Sequence, residues 1–172
     1  RDKLVTGVQT CALPICGPSA AVENAFEQKA VILCDAERSD ADALETAIEM
    51  FSTLKMRIIQ MNAKDHDLHA AYVSHISHIT SFALANTVLE KEKEDNAIFE
   101  MASAGFESTV RLAKSNPAMW TPILMQNREN ILDVLNEHIS QLRKFKSCLE
   151  KENWEYLNEL MSQANQIKRI IQ

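Results

Sequence analysis

After Gly17 this chain contains a single glycine, Gly105. Glycine turns a backbone through left-handed conformations without steric cost. A chain this poor in it, with only four prolines, has few tight turns available and favours long, uninterrupted helices. The exception lies early. Lys29–Asp35 (KAVILCD) is a short apolar run of the kind carried by a strand buried on both faces. Ser39–Asp42 has the S-x-x-D form of a helix start, and Leu44, Ala47, Ile48, Phe51 and Leu54 follow at helical spacing. Met56–Met61 (MRIIQM), β-branched at its centre, predicts a second strand. Strand, helix, strand in this order predicts a βαβ unit with a parallel pair. Two strands alone are marginal, so the unit reads as the last piece of a larger α/β sheet.

Beyond Asn62 the strand signal stops. Asn62 predicts a helix cap with Asp65 in the first turn, and the helix runs through His66, Tyr72, Ile76, Ile79 and Leu84 to about Leu89. The charged Glu90–Asp95 segment reads as a solvated helix end. Ala97–Met101 is expected to be helical, and Gly105 to mark a bend. Asn116-Pro117 supplies a cap and a proline at the first helical position; Thr121-Pro122 repeats the pattern and predicts a kink. Ile131, Leu135, Leu142, Phe145 and Leu149, with His138 in the remaining place, form a packing seam. Trp154, Leu157, Leu160, Met161, Ile167 and Ile170 continue it on a last helix. Two such helices have more apolar face than one small domain covers, which predicts a homodimer, with packing inside one chain as the alternative. The chain is therefore predicted to be mainly α, with a helical domain over residues 62–172 after a βαβ remnant of a Rossmann-like α/β domain over residues 17–61.

Residues 1–16, RDKLVTGVQTCALPIC, follow no periodicity. A signal peptide fits poorly, because Thr6, Gln9 and Thr10 break the apolar stretch and Ile15 is large for a cleavage site before Cys16. The string resembles translated sequencing-adapter read-through, so a non-native leader is expected. The net charge of −6 and a pI near 5.4 argue against nucleic acid or an anionic membrane surface as partners. No apolar run approaches the roughly 18 residues of a membrane span. Cys11, Cys16, Cys34 and Cys148 show no CxxC spacing, so reduced thiols and a cytoplasmic location are expected, with Cys34 a buried small hydrophobe.

His66, His69, His75 and His78 form two i, i+3 pairs. At about 100° per residue they point roughly to 0°, 300°, 180° and 120° of a straight helix, so they do not converge and no metal is expected. His69 reads as a polar-face histidine; His75 and His78, flanked by Ser74 and Ser77 in an apolar helix, read equally well as site or structure. Arg111, among Thr109, Val110, Leu112 and Ala113, is expected to be partly buried. Its planar fork suits a ligand carboxylate or an internal ion pair with Glu107 or Asp67, the internal pair being slightly favoured. Lys114 reads as a solvated helix-end charge and Trp120 as core. There is no GxGxxG, P-loop or GxSxG pattern.

From Gly17 to about Lys151 the order of motifs resembles the prephenate dehydrogenase family. GPSAAVENAFE resembles the segment after that family's HPMAGTE-type motif, and KAVILCD resembles the close of its dinucleotide-binding domain. DHD…VSHISH is similar to the family's HD…VSHLPH helix, with Ser77 where proline is usual. AGFESTVRLAKSNPAMW is similar to its GGF…TRIAKSDPxMW segment, with Ala104 in the glycine turn. The resemblance implies oxidative decarboxylation of prephenate to 4-hydroxyphenylpyruvate in tyrosine biosynthesis, with NAD or NADP as hydride acceptor and a homodimer. It implies that Arg111 holds a prephenate carboxylate and His78 meets the pyruvyl side. His75 and Ser74 would shape the pocket, and His66 and Asp67 would join its polar network. The catalytic histidine and glycine-rich loop would lie before Gly17, so no catalytic or cofactor-binding residue is expected in this chain, which alone would be inactive. Arogenate in place of prephenate is equally open. A dimeric helical scaffold without catalysis, and a helical metal-binding protein, are the readings from other classes.

Overall fold

The computed structural model describes residues 22–93 and 98–170. The expected leader, with Cys11 and Cys16, lies outside these residues, as do the end of the 90–95 segment and Ala97. Strand β1 (Ala30–Cys34), helix α1 (Ala41–Thr53) and strand β2 (Arg57–Met61) form the expected βαβ unit, and the strands pair in parallel from Ala30 opposite Arg57 to Cys34 opposite Met61. Val31, Phe51 and Met56 are buried together, with Leu33, Ala47 and Ile58 against them. With two strands described, only Val31 of β1 is fully buried, and Cys34 is half-exposed rather than buried. Partial burial, then the charges of Asp35 and Asp67, push its thiol pKa up, away from the reactive thiolate. Helix α1 starts one residue later than Ser39 would have set it. Asp40 takes the N-cap position without a side-chain cap bond, and the Ser39 N–H closes a short 3₁₀ turn, Ala36–Arg38, on the Ala36 carbonyl.

A glycine-poor chain must still end its helices, and it does so by placing other residues in the left-handed region. After α1, Lys55 has φ 54°; its N–H bonds to the Ser52 carbonyl and the Met56 N–H to that of Phe51. This pair of bonds is the Schellman closure, and the Met56–Phe51 contact beneath it belongs to the buried cluster. The end of α6 (Arg128–Glu150) repeats the arrangement with Glu152 at φ 51°. Its N–H reaches Leu149, and the Asn153 N–H reaches Cys148.

Asp35 joins the βαβ unit to the helices. Also left-handed, at φ 48°, it donates its N–H to the Met61 carbonyl and accepts the Ala63 N–H on Oδ1 at 2.8 Å. Helix α2 (Ala63–Ala70) is capped by Asn62, whose Oδ1 accepts from the Asp65 N–H at 2.8 Å, as expected. The same rod continues through a π turn (Ala71–His75) into α3 (Ile76–Glu92). Ala71, on that turn, packs on Ile131 and Val134 of α6, with Ile76, Ile79 and Leu124 around them.

After a 3₁₀ turn, Phe99–Met101, helix α4 (Ala104–Val110) begins. The bend expected at Gly105 falls instead at Ser103, which is extended, with φ −109° and ψ 172°. Gly105 is the second residue of α4, and a Cβ there would meet only the Ser103 hydroxyl at 3.9 Å, so glycine is not required. Helix α5 (Pro117–Gln126) starts on the Asn116 cap, whose side chain accepts from the Ala118 N–H at 2.9 Å. Thr121-Pro122 lies inside α5 rather than starting a helix. Helix α7 (Trp154–Ala164) packs back on α6 and ends in a 3₁₀ turn, Asn165–Arg169. The seam residues divide: Ile131 and Leu160 are buried and Leu135, Phe145 and Leu157 are partly buried, while Leu142, Leu149, Trp154, Met161 and Ile167 are each about half exposed; Val134 and Cys148, outside the expected seam, are buried as well. Among the described residues no helix is long and apolar enough to cross a membrane.

Candidate functional site

The π turn controls which side chains meet. It widens one turn of the α2–α3 rod, so a straight-helix projection does not carry from His66 and His69 to His75 and His78. Widening disturbs the regular ladder of carbonyls, and side chains supplement it. Ser77 Oγ donates to the Val73 carbonyl at 3.5 Å, and His78 Nδ1 donates to the Ser74 carbonyl at 3.0 Å. His75 and His78 are both buried, at 7% and 5% exposure. His69 is exposed and takes no part.

Trp120, the fourth residue of α5, is the surface they share. Its ring stacks on His78 with centroids 3.4 Å apart and planes 26° apart, and it meets His75 edge-on at 6.1 Å and 79°. The expectation that Trp120 is core holds for its burial, at 3% exposure. Its indole Nε1–H, however, is buried and finds no acceptor among the described residues. A buried donor left unpaired costs about 1–3 kcal/mol, so its presence needs a reason.

Asn127, between α5 and α6, completes the buried network. Its Nδ2 donates to the Asp67 carbonyl at 2.6 Å and lies 3.1 Å from His75 Nδ1, while its Oδ1 accepts from Asn130 Nδ2 at 2.7 Å. Asp67 thus enters the network through its main chain; its carboxylate faces outward and meets His66 Nδ1 at 3.1 Å. Burial is the main cause holding the pKa of both His75 and His78 below the ordinary histidine value. For His75 the Asp67 charge opposes that shift, while His78 and His66 add to it. For His78 the Ser74 carbonyl opposes it and the Arg111 charge adds to it. Both rings are therefore neutral near pH 7.

Arg111 departs from expectation. It is exposed, not partly buried, and among the described residues no carboxylate pairs with it. Of the two expected internal partners, Glu107 instead takes Lys114 at 3.3 Å and Asp67 takes His66 at 3.1 Å. The cause is a break in the helix. An unbroken α-helix would join the Thr109 carbonyl to the Ala113 N–H. Ser81 Oγ from α3 stands between them, donating to Thr109 O at 3.1 Å and accepting from Ala113 N at 3.1 Å. A side chain inserted into the ladder bends a helix, and here α4 passes at Val110 into a 3₁₀ turn, Arg111–Lys114. The guanidinium is carried out to solvent, near enough for its charge to act on His78.

Of the six residues singled out in the sequence, His75, His78 and Ser74 gather at the π turn, and Arg111 flanks them. His66 and Asp67 pair with each other, and the Asp67 carbonyl links them to the network through Asn127. Two contributors carried no clear sequence signal, Asn127 and Ser81. Among the described residues no three His, Cys, Asp or Glu side chains cluster as a metal site would need.

Residues 62–163 match the family model for the prephenate dehydrogenase dimerization domain, and residues 5–60 that for the prephenate dehydrogenase nucleotide-binding domain. The chain is 30% identical over 141 residues to a prephenate dehydrogenase of Bacillus subtilis, covering 82% of this chain and 38% of that one. It is 28% identical over 153 residues to a cyclohexadienyl dehydrogenase of Zymomonas mobilis, covering 88% and 52%. A prephenate dehydrogenase from A. aeolicus, crystallised with hydroxyphenyl propionate and NAD+, superposes with a TM-score of 0.78 at 28% identity, covering 90% of this chain and 54% of that one. The chain thus spans about half the length, or less, of the proteins it matches.

Proposed function

Because the chain belongs to the prephenate dehydrogenase family, we propose that it is the carboxylate-recognising and dimer-forming part of a dehydrogenase that converts prephenate to 4-hydroxyphenylpyruvate. The observation that carries this is Arg111, exposed, without a carboxylate partner among the described residues, on a turn set by the Ser81 hydroxyl and with its charge acting on neutral His78. A guanidinium fork binds a carboxylate through two parallel hydrogen bonds. Neutral His75 and His78 add directed hydrogen bonding without a second cation, and Trp120, buried against both, holds their rings in place. Ser74 lies on the turn that carries His75 and its carbonyl holds His78, and His66 and Asp67 complete the polar surround.

NAD-dependence is a property of the family, whose other domain binds the nucleotide. The described residues do not fit the phosphates of such a cofactor. The turn leaving β1 carries Asp35, whose carboxylate serves the Ala63 N–H and Arg38, and the one described glycine, Gly105, lies far along the chain in α4. These residues contribute substrate recognition, not hydride transfer. Arogenate is the alternative substrate, since it carries the same ring carboxylate for Arg111. The half-exposed apolar side chains of α6 and α7 support a homodimer.

The reading is tested by titrating the chain with prephenate while following tryptophan fluorescence. Trp120 is buried in the site, and Trp154, the other tryptophan, is 58% exposed. Saturable quenching that is lost in Arg111→Ala supports the proposal; quenching that Arg111→Ala leaves unchanged rejects Arg111 as the anchor.

A further inference from the structure

Asn127 occupies the N-cap position of α6 yet makes no side-chain cap bond. Asparagine there normally contributes about 1 kcal/mol by accepting a backbone N–H of the first turn. Here that contribution is forgone, and both ends of the amide are turned to side-chain and cross-helix partners.

Those partners settle which end is which. A backbone carbonyl only accepts, so the atom 2.6 Å from Asp67 O must be a donor, the Asn127 NH₂. Reversing the amide would set its oxygen against that carbonyl and its NH₂ against the NH₂ of Asn130. The second N–H of the correctly placed amide then faces His75 Nδ1 at 3.1 Å. A ring nitrogen facing a donor must offer its lone pair. His78 is fixed in the opposite sense, because its Nδ1 faces the Ser74 carbonyl and must carry the proton.

We propose that Asn127 is a positioning residue that sets the proton inventory of this site, locking neutral His75 as its Nε2–H tautomer while His78 is locked as Nδ1–H. The two imidazoles, both in contact with Trp120, are therefore not equivalent. A ligand that reaches them meets a hydrogen-bond donor at His75 and an acceptor at His78. Protonating His75 would set two N–H groups against one another, so Asn127 also opposes the cation. None of this depends on which substrate the site takes, and it stands or falls apart from the carboxylate role of Arg111.

The experiment is a long-range ¹H–¹⁵N correlation spectrum of the histidine rings in the ¹⁵N-labelled chain, recorded at alkaline pH. The expected result is an unprotonated Nδ1 in His75 and an unprotonated Nε2 in His78. A protonated Nδ1 in His75, or signals averaged between its tautomers, overturns the proposal. In Asn127→Asp the carboxylate can only accept, so His75 should move its proton to Nδ1 or become a cation while His78 keeps its pattern. Asn127→Ala removes both donors without adding charge, and His75 should then show averaged signals. A His75 still locked as Nε2–H in either folded variant overturns the role of Asn127.

Discussion

The ring of His78 lies flat on that of Trp120, 3.4 Å away, while its Nδ1–H is held by the carbonyl one turn earlier. This fixes both the plane and the proton of a buried imidazole, and it links the π turn to the first turn of α5. The indole is the rigid partner. Its N–H is buried and has no acceptor among the described residues, so the ring's recorded contacts are those of its face and edge. Trp120→Phe keeps a stacking face and removes the unpaired donor. Chemical denaturation should find this variant within about 1 kcal/mol of the parent, whereas Trp120→Ala should lose about 3–5 kcal/mol. Equal losses in the two variants would show that the indole N–H does contribute to the fold.

Stability should fall on mild acidification. His75 and His78 have folded pKa values below their unfolded value of about 6.5, so the unfolded chain binds protons first as pH drops. Stability is then fully present above about pH 6.5 and is lost as the pH falls from there through the depressed folded values. Denaturation midpoints measured from pH 8 to pH 5 should decline, and His75→Gln with His78→Gln should flatten that decline. A flat profile in the parent would contradict neutral, buried rings.

Arg111→Ala should weaken prephenate binding by about 1.5–3 kcal/mol, the range for a hydrogen bond to a charged group, rather than the larger cost of uncovering a buried charge. Arg111→Lys should recover only part of it, because an ammonium cannot make the paired contact. Calorimetric titration distinguishes the three proteins, and full recovery by lysine would argue against a two-pronged contact.

Removing the Ser81 hydroxyl allows Thr109 and Ala113 to bond directly and α4 to run on through Arg111. Ser81→Ala should therefore lower stability by only about 1 kcal/mol yet weaken prephenate binding several-fold by turning the guanidinium away. A variant with unaltered binding would show that the bend does not aim Arg111.

The left-handed helix ends offer a gain. A non-glycine residue in that region is strained by about 1–2 kcal/mol, partly offset by the greater freedom glycine has in the unfolded chain. Glu152→Gly should raise stability by about 0.5–1 kcal/mol, read as a higher denaturant midpoint with unchanged slope. A lower midpoint would mean that the Glu152 side chain contributes more than its backbone costs.

Local signals in the sequence were reliable where the physics is local. Asn62 and Asn116-Pro117 cap their helices because an Asx side chain reaches the backbone two or three residues on. The strand runs at residues 30–34 and 57–61 stand out because β-branched and aliphatic side chains suit a pleated surface. His75 and His78 were visible as polar residues on an apolar helix. What pattern alone could not show is action at long separation. Asn127 reaches back 60 residues to Asp67 and 52 to His75, and nothing in its neighbours distinguishes it from an ordinary cap. Ser81 breaks a helix 28 to 32 residues away, so the solvent exposure of Arg111 depends on a hydroxyl in another element. Had the helix been unbroken, the internal pair with Glu107 would have been a fair expectation.

The π turn has a final consequence. Its five residues, Ala71–His75, give the rod one residue more than a regular helix would use. Wound into a regular helix, the same residues would regain their ladder of hydrogen bonds, and every side chain beyond would swing by about 100°. Both imidazoles would leave Trp120. The most regular helix this segment could form is thus one in which the site does not exist, and local order has yielded to the placement of two rings.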